Sequence, residues 1–392
     1  MKFFRVLSAL AICAVLFGCT VFSLINAASS SAHYSRTSDI AYGELPRQRL
    51  DIYQPKAERA DAPLVVFFYG GSWNHGSKKN YQFVAASLTR AGFVVILPDY
   101  RVYPEVTFPD FVSDGALAVA WAATHAQQYD ANQKRIYLMG HSAGAQIAAL
   151  LALDRRYLDA VEMSTADIAG FIGLSGPYDF LPLKTRKLQA VFPVDSRDQS
   201  QPIDFVGVQA PPTLLIHGAD DTVVSVANSE KLAEKLNANS VPVTLKIYED
   251  LRHASIVVSL APSLNFIAST IDDVVEFIEA EKHRHDSVRI ATPASGASLR
   301  DSFLLKGAAR GPWYFEGEVP FQIVTDTDAV LVDGYVSAKS EWMILGFVPF
   351  EKTIRLPTVS KATPANLVIR KNNPTGLSRH DDSVRIPIFL EP

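Results

Sequence analysis

The chain has 392 residues, 48% of them hydrophobic, enough for more than one buried core, and ordinary domain sizes predict two units. A net charge of −4 and a pI near 6.2 exclude the electrostatic footprint of a nucleic-acid binder. No basic run points to another polyanion.

Lys2 and Arg5 precede an almost uncharged apolar run from Val6 to Ala28, followed by the polar "SSSAHYSRTS". A basic start, an apolar stretch and then small residues predict an export signal over residues 1–28, with a polar linker over 29–39. Both cysteines, Cys13 and Cys19, lie inside it, so the mature chain is expected to carry no disulfide, and a core of this size needs none. The tetrapeptide Leu16-Phe17-Gly18-Cys19 resembles the lipobox of bacterial lipoproteins, whose cysteine is lipidated and becomes the new N-terminus, although Phe17 stands where a small residue is usual. Cleavage near Ala27 or Ala28 and retention as a membrane anchor, for which the run is long enough, stay open beside lipidation. All three put the rest of the chain in the periplasm or cell envelope.

From residue 62 onward, apolar runs of strand length alternate with helical patterns. The runs are "PLVVFFYG" (63–70), "FVVILPDY" (93–100), "RIYLMG" (135–140), "AGFIGLSG" (169–176), "PTLLIHG" (212–218) and "TLKIYED" (244–250). Strands without polar alternation are those buried on both faces. Residues 108–129, 225–239 and 271–283 place apolar side chains on one face at helical spacing. Strand and helix in turn predict an α/β fold over residues 40–283, a doubly wound, mostly parallel sheet with helices on both faces.

Within that pattern, Gly140-His141-Ser142-Ala143-Gly144 joins a buried strand to the helix-forming "AGAQIAALLALD". A strand–turn–helix elbow of this kind holds a serine hydroxyl at the carboxyl end of the sheet, where helix amides face the reacting centre. Ser142 is therefore the candidate nucleophile, and it needs a base and a group to orient that base. In "LLIHGADDTVV" the strand and turn are followed by Asp220 and Asp221. Asp221 fits the spacing H-G-x-x-D ahead of two apolar residues, and Asp220 is the alternative. His253 in "YEDLRHASIV" follows the next strand and is the candidate base. The remaining histidines are read as structural: His33 and His380 in polar loops, His283 and His285 in a linker, His125 on a helix, His217 in its turn, and His141 directed away along the elbow. "FFYGGSWNHGSKK" (67–79) supplies an oxyanion loop, with the amides of Gly71, Ser72 and Ala143 as donors. Trp73 lines the acyl or alcohol pocket or serves packing. No metal or organic cofactor is implied, since the Asp and His groupings lack ligand spacing.

Residues 40–283 resemble the α/β-hydrolase superfamily, and within it the carboxylesterases that include feruloyl and acetylxylan esterases and kynurenine formamidase-like enzymes. The resemblance runs through Tyr69-Gly70-Gly71-Ser72-Trp73, Pro98-Asp99-Tyr100-Arg101 with Pro104, the elbow, "FIGLSGPYD" (171–179), His217-Gly218 with Asp221, and His253. It implies a serine hydrolase acting on small-molecule carboxylic esters, with aryl formamides or other amides as the alternative and a silent envelope-binding protein as a third possibility. Tyr69 departs from the histidine usual in His-Gly-Gly, which braces the loop without moving protons. Asp99 and Arg101 are expected to pair below the site.

After residue 284 the helical period gives way to "FQIVTD", "VLVDGYVSA", "KTIRL", "NLVIRK" and "SVRIPIFL", split by turn residues, which predicts an all-β sandwich over 284–392. Gly311-Pro312-Trp313-Tyr314-Phe315-Glu316, Glu341-Trp342-Met343, "FVPFE" (347–351) and Asn372-Asn373-Pro374-Thr375-Gly376 resemble the immunoglobulin-like domain of bacterial spore germination. The resemblance implies an accessory module that binds cell wall or an envelope partner. "DSVRI" recurs at 286–290 and 382–386, read as two similar strands.

Overall fold

In the computed structural model, which describes residues 22–392 apart from 30, 58, 60, 240, 281–286, 326 and 376–380, the apolar runs become the middle of an eight-stranded sheet. The expectations for Cys13, Cys19, His283, His285, His380 and Gly376 fall outside the described residues. The strands are β1 (Tyr34–Ala41), β2 (Arg49–Pro55), β3 (Ala62–Phe68), β4 (Val94–Pro98), β5 (Ala131–His141), β6 (Ile168–Leu174), β7 (Thr213–Gly218) and β8 (Val243–Tyr248). They lie in the order β1-β2-β4-β3-β5-β6-β7-β8. The pairs β3/β4, β3/β5 and β5/β6 are parallel, and β1/β2 and β2/β4 are antiparallel.

All seven residues of β3 and all five of β4 are buried, as strands covered on both faces must be. The covering helices are α1 (residues 22–28), α2 (Gln82–Arg90), α3 (Asp110–His125), α4 (Ala143–Leu153), α5 (Arg155–Asp159), α6 (Arg186–Val191), α7 (Ala227–Ala238), α8 (His253–Val258) and α9 (Thr270–Ala280). Every residue of α4 is buried, so this helix, apolar except for Gln146, lies wholly inside the fold. The end of the N-terminal apolar run is α1. Its Phe22 ring lies 5.3 Å from Tyr81 and 5.9 Å from Phe83, its Ile25 is buried, and Asn26 donates to Lys79 O and accepts from Phe83 N.

The chain divides into two compact units. The second takes in Val206–Thr213 and Ala233–Thr244 as well as the C-terminal residues. Its C-terminal part is β9 (Val288–Thr292), β10 (Ala297–Leu299), β11 (Ser302–Arg310), β12 (Glu318–Thr325), β13 (Val330–Ser337), β14 (Phe347–Arg355), β15 (Thr363–Arg370) and β16 (Ser383–Leu390). They form one sheet in the order β10-β16-β15-β12-β13 and another in the order β14-β11-β9, antiparallel except for β10/β16. Trp313, Tyr314, Phe321, Phe350 and Leu367 belong to the core of this part. The two "DSVRI" segments serve different places, β9 at a sheet edge and β16 inside the other sheet.

Two glycines decide how closely α4 can cross the sheet. A Cβ on Gly144 would run into the carbonyl oxygens of Phe68 and Tyr69 and stand 2.5 Å from the Phe68 carbonyl carbon. A Cβ on Gly140 would stand 2.5 Å from the Gly144 carbonyl carbon. These obstacles are backbone, so they cannot rotate away. Gly144→Ala is expected to destabilise the fold by at least about 1–3 kcal/mol. Gly207→Ala, with nothing within 4 Å of the new methyl, is expected to shift stability by less than about 0.5 kcal/mol. Urea denaturation of the two variants measures the contrast.

Candidate active site

Ser142 joins β5 to α4 with φ 55° and ψ −123°, a conformation that side chains rarely adopt. The bonds around it hold it there: Ser142 N donates to Leu174 O at 2.9 Å, and Ala145 N and Gln146 N donate to Ser142 O. The strain lifts the hydroxyl clear of both the strand and the helix.

His253 opens α8, just past the end of β8. Its Nε2 lies 2.8 Å from Ser142 Oγ, and its Nδ1 lies 2.7 Å from Asp221 Oδ2. The two contacts join residues 111 and 32 positions apart in the chain. Because a carboxylate only accepts, Nδ1 carries the proton and Nε2 is left to take one from the hydroxyl.

Asp221 stands in the turn after β7 with its side chain fully buried. Its Oδ1 accepts from the amides of Val223 at 2.8 Å and Val224 at 2.9 Å. His217 Nε2, 3.2 Å away, shares Oδ2 with His253. Burial opposes ionisation here, yet the hydrogen bonds from His217, His253 and Val224 outweigh it and hold the carboxyl well below the usual range. Asp220, the alternative, is exposed, and its amide donates to Leu251 O. His217 does serve its turn, with Nδ1 against Ser229 Oγ at 2.8 Å and Nε2 against Val224 O at 3.0 Å.

The loop after β3 turns through three consecutive positive φ values: 144° at Gly71, 49° at Ser72 and 56° at Trp73. A Cβ on Gly71 would stand 2.8 Å from the His75 carbonyl carbon, so glycine is required there. A Cβ on Gly70 would lie 3.1 Å from Ser142 Cβ, which places the loop against Ser142. Among the described residues no acceptor bonds the amides of Gly71, Ser72, Trp73 or Ala143.

Trp73 is buried to 5% exposure. Its ring lies 5.7 Å from Phe180 and 4.8 Å from Phe192, and its indole N–H donates to Gln146 Oε1 at 3.0 Å. Of its two expected roles it fills the packing one, because this cluster leaves the indole little surface to offer a substrate. The expected Asp99–Arg101 pair is corrected as well. Arg101 Nη2 binds Asp114 Oδ1 at 2.8 Å on α3, while Asp99 accepts from Lys78 N at 2.8 Å. Arg101 follows the end of β4, where the chain turns toward α3 and meets the buried carboxylate there.

Arg47 was not singled out from the sequence. It donates to Tyr100 O and Gly76 O, each at 2.6 Å, and to the Tyr69 hydroxyl at 3.1 Å. Tyr69 also stacks on Tyr100 at 4.6 Å. Tyrosine thus braces the loop in place of the usual histidine. A polar turn, "LPRQRL", offers no pattern that could have announced this.

His141 is 5% exposed, and its Nε2 lies 3.1 Å from the backbone oxygen of His253. Burial, with nearby His253 adding to it, pushes its pKa down to about 3 from 6.5.

Residues 50–236 match the BD-FAE family model, and residues 287–377 match the immunoglobulin-like domain of bacterial spore germination. The first unit has the α/β-hydrolase fold. The fold is shared with esterase B of Lactobacillus rhamnosis at a TM-score of 0.60 and 19% identity, over 71% of this chain and 96% of that one. Three relatives are similar in sequence. The "Probable isoprenylcysteine alpha-carbonyl methylesterase" of Arabidopsis thaliana is 29% identical over 70% of this chain and 61% of its own length. Esterase LipC of Mycobacterium tuberculosis is 32% identical over 53% of this chain and 56% of its own. Kynurenine formamidase of Danio rerio is 36% identical over 37% of this chain and 47% of its own. The chain thus spans 47–61% of the length of these three relatives.

His141 makes stability depend on pH. With its pKa near 3 in the fold and 6.5 in the free chain, the unfolded state binds the extra proton between those values. The stability it supports is full above pH 6.5 and is lost as pH falls toward 3. Urea midpoints measured across that range are expected to fall on acidification, and less steeply in His141→Gln, whose amide does not titrate.

Proposed function

We propose that the protein is a serine carboxylic-ester hydrolase working through Ser142, His253 and Asp221. The observation that carries this is the unbroken line from Ser142 Oγ to His253 Nε2 at 2.8 Å and from His253 Nδ1 to Asp221 at 2.7 Å, beside unbonded amides. The hydroxyl oxygen attacks the ester carbonyl as its proton passes to His253 Nε2. The carbonyl oxygen, now negative, takes hydrogen bonds from the amides of Gly71, Ser72 and Ala143, each such donor being worth about 2.7–4 kcal/mol. His253 returns the proton to the leaving alcohol as the tetrahedral species collapses to an acyl-serine. Water, deprotonated by the same imidazole, then releases the acid. Asp221 stays ionised throughout and holds the imidazolium.

Ser142→Ala and His253→Ala are each expected to lower kcat for nitrophenyl acetate by more than about 10⁴-fold, and the double variant to be little worse, because these groups act as a unit. Fluorophosphonate labelling at Ser142 checks the nucleophile directly. A folded protein that takes up no label favours a silent, envelope-binding role instead.

Formamide hydrolysis is the second reading, favoured by the similarity to kynurenine formamidase. Its leaving nitrogen must be protonated by His253, so turnover of a formanilide against a nitrophenyl ester separates the two.

The N-terminal apolar run supports export to the periplasm or cell envelope, with the C-terminal sandwich as an accessory to an envelope partner. The packing of α1 favours a cut before Phe22, as lipidation at Cys19 requires, over one near Ala27 or Ala28. Trimming at Ala28 removes the Phe22 contacts, Ile25 and both Asn26 hydrogen bonds. Mass spectrometry of the mature N-terminus is expected to find residues 22–28 retained, and a chain starting at residue 28 or 29 overturns this.

A further inference from the structure

His141 is a buried histidine that the mechanism above does not use, and its two ring nitrogens are treated very differently. Nε2 faces the backbone oxygen of His253, which can only accept, so Nε2 carries the ring's proton. Nδ1 is then an acceptor, buried and with no partner among the described residues. It is directed at the backbone of Gly70, where a Cβ would come within 3.0 Å of it. Buried polar atoms without partners are rare in folded proteins and call for an explanation. A side chain needed only to fill this space could be a phenylalanine, with no orphaned nitrogen. What the histidine adds is the N–H on its other side.

That N–H reaches the residue whose imidazole must meet Ser142. His253 is held at two points: its ring by Asp221 at 2.7 Å, and its backbone by His141 at 3.1 Å. His141 is itself bonded covalently to Ser142. The nucleophile, the residue before it, and the base therefore close a ring through two hydrogen bonds and one peptide link. The rings of His141 and His253 lie 4.9 Å apart, inclined at 42°.

Resting on the reading of Ser142, His253 and Asp221 as the reacting groups, we infer that His141 is a positioning residue that clamps the base to the nucleophile through a single fixed N–H. The titratable groups around it are His253, Asp221 and His217. A cation at residue 141 would oppose the imidazolium that forms on His253, and burial keeps residue 141 neutral. The clamp acts on the distance and tilt of proton transfer and leaves substrate binding alone.

The test compares His141→Phe, which keeps a ring without a donor, with His141→Gln, which returns an N–H. His141→Phe is expected to lower kcat for nitrophenyl acetate about 10- to 100-fold with KM little changed, as a small misplacement of reacting groups does. His141→Gln is expected to recover most of that loss. Wild-type-like kcat in folded His141→Phe overturns the inference, and so does a glutamine variant as slow as the phenylalanine one. In the wild-type protein, histidine ¹⁵N spectra are expected to show residue 141 protonated on Nε2 alone from about pH 5 to 8, the range where histidines ordinarily titrate. A proton on Nδ1, or titration in that range, also overturns it, and this measurement decides if His141→Phe does not fold. Ser142→Ala run alongside separates the two readings. Turnover that survives Ser142→Ala removes the triad itself, whereas an inactive Ser142→Ala beside a fully active His141→Phe removes only the clamp.

Discussion

The place where α4 meets β3 and β5 has no room for a side chain, and the chemistry of the first unit depends on that close approach. Gly144 sits against the carbonyls of Phe68 and Tyr69, and Gly140 sits against Gly144 itself. Because backbone touches backbone, the helix begins within reach of the loop after β3. The amides of Ala143, Gly71 and Ser72, which no acceptor bonds among the described residues, lie on the two sides of this junction. A methyl group of separation would move the start of the helix away from that loop. Ser142 inherits its strained φ of 55° from the same approach, since the strand must reverse into the helix within one residue.

Around this junction the charged and polar groups are held almost entirely by backbone and buried partners. Asp221 takes two amides on one oxygen and two imidazoles on the other, so it stays ionised without solvent. Farther out, Lys78 is buried between Asp39 and Asp51, at 2.5 and 2.6 Å, and its amide binds Asp99. Asp39 is exposed while Asp51 is buried, and a buried pair such as Lys78–Asp51 is weak evidence of net stability. The geometry of these contacts matters more, because they tie β1 and β2 to the segment that follows the oxyanion loop.

The middle of the sheet was readable in the sequence because β3, β4, β6, β7 and the second half of β5 are almost wholly buried and therefore unbroken in their apolar character. Strands β1 and β2 were not, although β8 at the far edge was. In β1, "YSRTSDIA", only the first residue is buried, so the polar remainder reads as a linker over 29–39 where the fold has an edge strand. The helix α8 is six residues long, too short to show a period, and it matters only because His253 begins it. Within the site, the Gly-x-Ser-x-Gly spacing, the order of acid and base, and the glycine loop pointed to residues that the fold does bring together. Arg47, the exchange of Asp99 for Asp114 as the partner of Arg101, and the link from His141 to His253 stayed hidden. Each joins residues far apart in the chain through side chains whose local surroundings carry no periodic mark.

The aromatic cluster at Trp73 has a mechanical consequence. Phe180 and Phe192 belong to the segment between β6 and β7, whereas Trp73 ends the run of positive φ beside Ser142. Rings packed this tightly do not slide independently. Any shift of that segment is thereby geared to the turn at residues 71–73, so the two move as one.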